Sequence, residues 1–179
     1  MMRAMRIDIA DSVPLSPQET FLLIRDRMPE LVPHMDGCES IVVTSRTEDG
    51  DVVRLVNRWV LSLDQVPAAA ARFASKELVT WDDHANWSAS TRSCSWRLQP
   101  LKDLKIFSCS GTTRIEEEGA GARLVMAIDL EIYPERVPGL PGFIARPLRP
   151  QIEQFISTRV AGSMRNLAVS IRRYAAATA

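Results

Sequence analysis

Apolar residues recur near the end of the chain at Ile152, Phe155, Ile156, Val160, Met164, Leu167, Ile171 and Tyr174. Steps of three and four place them on one stripe of a helix about six turns long, opening at Pro150. Such a stripe needs an apolar surface to cover it. The segment upstream supplies one: Leu124, Met126, Ile128, Leu130 and Ile132 keep the strict alternation of a half-buried strand. The pairing predicts a sheet that presents one apolar face to one long terminal helix, joined by a Pro-rich passage from Pro134 to Pro150.

The rest of the chain fills in that sheet. Met5 to Val13 alternates as a first strand. Ser16-Pro17-Gln18-Glu19 opens a helix, with Ser as N-cap, Pro in the first turn and Glu three residues after the Ser. Phe21, Leu22, Ile24 and Met28 form its apolar face, and Pro29 and Pro33 break it, leaving Glu30 to Met35 as a separate turn. Cys38 to Thr47 reads as a strand centred on the β-branched run Ile41-Val42-Val43-Thr44, and Val52 to Leu61 returns from a turn around Gly50. Pro67 starts a short helix within Val66 to Phe73. Leu78 to Ala89 and Thr91 to Leu98 are the next strands, the second ended by Pro100. A hairpin follows, from Lys105 to Glu116 and back from Ala122 to Tyr133. There is no internal repeat and no change of composition, so residues 1–179 are expected to form one domain.

Composition narrows the class. With 46% hydrophobic and 25% charged residues the chain is ordinary for a globular protein. Lys+Arg and Asp+Glu both number 22, which gives no general attraction to nucleic acid. Arg, Asp or Glu interrupts every apolar run before it reaches a membrane span, and the start lacks the apolar core of a signal peptide. Cys38, Cys94 and Cys109 are odd in number and widely spaced, as expected of free buried thiols in a reducing cytoplasm. His34 and His84 are the only histidines, and neither stands in a metal-ligand spacing. No metal and no cofactor is expected, and no nucleophile motif or Gly-rich phosphate loop is present.

The resulting order is strand, two short helices, six consecutive antiparallel strands and a long terminal helix. This order resembles the START-like, or SRPBCC, superfamily with its helix-grip fold, which includes lipid-transfer domains, polyketide cyclases and aromatases, and the birch-pollen allergen family. The resemblance runs from Arg6 to Tyr174. It rests on Ser-Pro-Gln-Glu-Thr at 16–20, the break Met28-Pro29-Glu30-Leu31-Val32-Pro33, and the closing helix. The stretch Pro67–Lys76 is similar to that of bacterial members rather than of the cyclases. The resemblance implies an α+β fold in which a seven-stranded curved antiparallel sheet wraps the helix, with a cavity between the two.

Candidate site residues follow from strand phase on that expectation. Trp59 shares a face with Asn57, and Trp96 shares one with Arg92 and Cys94, so Asn57 and Arg92 are polar groups on apolar faces. Buried polar groups need partners, and a ligand is one such partner. Trp81 shares a face with Asp83, while Asp82 and His84 share the other; a solvated strand end or turn carrying the two carboxylates is the plainer reading of the same acids. Met126 and Ile128 face the terminal helix near Ser163, the smallest side chain of its stripe. Arg159 lies at the edge of that stripe, placed to meet an anionic head or Asp83, or to reach solvent. Residues 146–179 carry six Arg against the single acid Glu153. The expectation is a cytoplasmic protein that binds, and in some members of the superfamily transports, a small hydrophobic or amphipathic ligand. A cyclase- or dehydratase-like enzyme acting on a polyketide-like substrate is the alternative. A protein-binding regulator similar to co-chaperone members is the third. Neither catalytic residues nor oligomeric state follow from the sequence.

Overall fold

The computed structural model describes residues 5–65, 75–101, 105, 107–136 and 141–178. Seven strands form one antiparallel sheet: β1 (Met5–Val13), β2 (Cys38–Asp49), β3 (Val52–Leu61), β4 (Thr80–Ser88), β5 (Ser93–Pro100), β6 (Phe107–Glu118) and β7 (Gly121–Ile132). Their spatial order is β1-β7-β6-β5-β4-β3-β2. Every neighbour after β1 is a sequential hairpin, and β1 closes the sheet by pairing with β7, Ile7 opposite Ile128 and Ile9 opposite Met126. The curved sheet grips α2 (Gly142–Thr178), which makes this a helix-grip α+β fold.

Alternation becomes burial most plainly in β7, where Ala122, Leu124, Met126, Ile128, Leu130 and Ile132 are buried and Arg123 and Asp129 are exposed. In β2 the β-branched run buries only Ile41, while Val42, Val43 and Thr44 are exposed. β2 is an edge strand, and register shifts after Cys38 and after Val43 twist it away from the core.

The first helix, α1 (Pro17–Asp26), starts on a full capping box. The Glu19 N–H donates to Ser16 Oγ at 3.2 Å, and the Ser16 N–H donates to Glu19 Oε2 at 3.0 Å. A 3₁₀ segment, Met28–His34, follows and contacts α2. The helix α2 begins eight residues before the expected start at Pro150 and carries Pro147 and Pro150 inside it. Each proline removes its own N–H donor but leaves its neighbours' bonds available, so prolines that read as a boundary become interior positions. The expected helix at Val66–Phe73 lies outside the described residues.

Two apolar clusters fill the interior. One joins Phe21, Ile24, Leu31, Trp87 and Leu124 to Ala168 and Ile171 of α2. The other joins Ile9, Cys109, Met126 and Ile128 to Val160, Ala161 and Met164. Between them Gly111 on β6 lies opposite Trp96 on β5. A Cβ at Gly111 would stand 2.4 Å from the Ala127 carbonyl oxygen and 2.7 Å from Trp96 Cζ2, so only glycine fits there.

Candidate ligand-binding site

The two clusters do not meet everywhere. A cavity of about 100 Å³ remains between the sheet and α2. A single buried water needs about 10–15 Å³ by this measure, so the space exceeds an ordinary packing defect. All four tryptophans, Trp59, Trp81, Trp87 and Trp96, line it. Trp87 is fixed by an edge-to-face contact with Phe21, ring centroids 5.5 Å apart, and the Trp96 indole N–H donates to Thr113 Oγ1 at 3.1 Å.

A polar cluster sits at one wall: Trp59 and Asp83 line the cavity, while Asn57 is buried beside them and does not line it. Asn57 and Asp83 are direct cross-strand partners, as are Trp59 and Trp81 two residues along. Strand alternation turns Asp83 to the cavity and Asp82 to the opposite side, where Asp82 pairs with Arg58 at 2.8 Å. The solvated strand-end reading of Asp83 is therefore set aside. Burial raises its carboxyl from the ordinary carboxylate range to about 7, against a weaker downward pull from the Asn57 and Trp59 side chains beside it. These neighbours do not close well-formed hydrogen bonds. Asp83 Oδ1, Asn57 Oδ1 and Trp59 Nε1 are all buried without a partner. Three unsatisfied polar atoms in one place are unusual for a protein interior.

The rim is built from distant segments. Ser163 and Asp36 line the cavity but are exposed, so they mark its mouth. The Asn166 amide donates to the Asp36 carbonyl at 3.0 Å, and Arg173 pairs with the Asp36 carboxylate at 2.9 Å, holding it below the usual range. These contacts tie α2 to the turn after the 3₁₀ segment.

The remaining sequence candidates fall elsewhere. Met126 lines the cavity, while Ile128 is fully buried in the second cluster behind the wall. Arg92 is not in strand phase with Trp96. It occupies the β4–β5 turn with φ +46°, and its exposed side chain meets Glu117 at 3.4 Å. Closing that turn takes a left-handed residue, its N–H bonded to the Ala89 carbonyl, and this breaks the alternation. The Arg159 side chain lies outside the described residues. Sequence reading passed over Met35, Asp36, Thr113 and Asn166. Only the Pro29–Pro33 break hinted that the chain turns back towards the helix there.

The cysteines are packing groups. All three are free, Cys94 and Cys109 are buried and Cys38 is half-buried. Burial pushes the Cys38 thiol up to about 11 and that of Cys109 up to about 12, and raises Cys94 as well. Thiolates are the reactive form, so Cys94 and Cys109 are expected to resist an aromatic disulfide reagent in the native state. Titration should count at most one thiol natively and three in denaturant; native labelling of Cys94 or Cys109 would contradict this. Among the described residues no three His, Cys, Asp or Glu side chains gather as a metal site, and no helix is long and apolar enough to cross a membrane.

Neither a family model nor a curated protein sequence matches the chain. Solved structures do. The protein TTHA0849 of Thermus thermophilus superposes with a TM-score of 0.63 at 20% identity, over 93% of this chain and 97% of that one. The Zhui aromatase/cyclase of a Streptomyces species gives 0.62 at 16% identity, over 96% of both chains. Norcoclaurine synthase of Thalictrum flavum gives 0.58 at 12% identity, over 97% of this chain and 87% of that one. The chain thus shares the helix-grip fold of these structures.

Proposed function

We propose that the protein binds a small apolar or amphipathic molecule in the cavity between sheet and α2. The observation that carries this reading is the polar cluster: Asp83 Oδ1 and Trp59 Nε1, on residues that line a tryptophan-lined cavity, lack partners, as does Oδ1 of the buried Asn57 paired with Asp83 across the strands. A core that only packs gains nothing from three buried, unpaired polar atoms, whereas a binding site uses them to orient its ligand. The fold shared with a plant and a bacterial enzyme is consistent with such a site but does not choose a ligand. The protein as a whole is read as a single, cytoplasmic domain.

Native mass spectrometry of protein from its own host is expected to reveal a co-purifying small molecule. In addition, the neutral aromatic alcohol 3-phenylpropanol is expected to change tryptophan emission, since every tryptophan lines the cavity. Ser163→Phe narrows the mouth from an exposed position, so it is expected to weaken that binding several-fold while the melting temperature moves by only about 2 °C. A wild type whose emission responds to no phenylpropyl probe, charged or neutral, or a Ser163→Phe variant that binds equally well, would overturn this reading.

A second reading has its own observation. A carboxyl titrating near 7 inside an apolar cavity is poised for general acid–base work, as a cyclase- or dehydratase-like enzyme requires. Turnover of a polyketide-like substrate that is lost in Asp83→Asn would favour it over simple binding. The protein-binding regulator gains no comparable support.

A further inference from the structure

The charges around the cavity are one-sided. Among the described lining residues there is no Lys, Arg or His, and the two that carry charge are Asp36 and Asp83. Asp36 is neutralised at the rim by Arg173. Asp83 has no cationic partner among the described contacts, and its Oδ1 and the Oδ1 of Asn57 are both acceptors waiting for a donor. The rest of the wall carries no charge: Met28, Met35, Met126 and Met164 stand beside the four tryptophans and aliphatic side chains, with the neutral polar groups of Thr113, Ser163 and Asn166 and the thiols of Cys38 and Cys94.

An anionic head, as on a fatty acid, would meet the Trp59 N–H but also the Asp83 carboxylate, with no counter-charge among the described lining residues. A hydroxyl head would donate to Asp83 without balancing its charge. An ammonium would donate to Asp83 Oδ1, pair with the carboxylate and be attracted by the negative faces of the indoles. Resting on the cavity reading above, we infer that the natural ligand is an apolar molecule bearing a cationic amine, held with its ammonium against Asp83 among the tryptophans. This narrows the ligand from any small hydrophobe to an aromatic or alkyl amine.

Three probes with one apolar body test it: 3-phenylpropylamine, 3-phenylpropanol and 3-phenylpropionate, titrated at pH 8 against tryptophan emission. The amine is expected to bind about tenfold tighter than the alcohol, and the carboxylate weakest. In Asp83→Asn, which keeps the shape and removes the charge, the amine is expected to fall to within about threefold of the alcohol, with alcohol binding little changed. Thermal melting of the variant confirms that it is folded. Alcohol or carboxylate binding as tightly as the amine, or a preference that survives Asp83→Asn, would overturn the amine assignment and leave the cavity reading standing. If none of the three binds, the cavity reading itself fails and the amine assignment fails with it.

Discussion

A chain ending at Ser163 is expected to lose cooperative unfolding altogether. Residues 164–179 include Met164, Leu167, Ala168, Ile171 and Tyr174, which touch both apolar clusters. Ala168, Ser170 and Ile171 are completely buried. At about 1.5–3 kcal/mol for each large side chain, their burial rivals the about 5–15 kcal/mol by which a domain is stable at all. The same segment carries Arg173 to Asp36, Tyr174 to Arg27 and Arg172 to the Ser12 carbonyl, and all three are lost with it. Circular dichroism during heating should show a broad, sloping change, with an apolar dye bound at room temperature. Ile171→Ala, a milder lesion in the same place, is expected to cost about 2–5 kcal/mol with cooperativity kept. A truncated chain that melts sharply near the full-length temperature would show that α2 is an appendage.

Asp83→Asn is expected to stabilise the protein, and to do so increasingly as the pH rises. The folded carboxyl titrates near 7, well above the roughly 3.9 of an unfolded chain. Between those values the native state holds a proton that the unfolded state has released, so stability falls as pH rises and levels off above about 7. Asparagine has no such titration. The advantage of the variant over wild type should therefore grow by about 2–3 kcal/mol between pH 5 and pH 8, measured by urea unfolding at each pH. Carboxylates held low by ion pairs or hydrogen bonds, such as Asp26, Asp36 and Asp51, act in the opposite direction, but they are common to both chains and cancel in the difference. An advantage that is constant with pH would mean that Asp83 is not buried as an acid.

The fold was largely legible because its elements carry local signals. Strand alternation in Leu124–Ile132 and the Ser16–Glu19 box depend on neighbours in sequence and appear as read, and of the α2 stripe Val160, Met164, Leu167, Ile171 and Tyr174 pack against the apolar clusters. Two local signals misled for physical reasons. Pro147 and Pro150 looked like a helix boundary, because each removes an N–H donor and crowds the carbonyl four residues earlier, yet α2 runs through both. Arg92 looked in phase with Trp96, although the turn takes it into a left-handed conformation. The site was legible only in part. Phase placed Asp83 with Trp81, but nothing local could tell a cavity wall from a solvated strand end. Asp36 and Asn166 stand 130 residues apart, and only the closing of α2 onto the turn brings them to one rim.

Gly111 and Trp96 behave as a single residue divided between two strands. The ring of one occupies the volume that the side chain of the other would need, and the Ala127 carbonyl behind leaves no slack. Behind the indole lies peptide backbone, which no substitution can trim. Any remodelling of the chamber at this point has to begin with the ring: shrink it and a hollow opens over bare backbone; enlarge position 111 and the ring is driven inward, into the space a guest would occupy. Capacity on this side is set by one interlocked pair, and neither half is free to drift without the other.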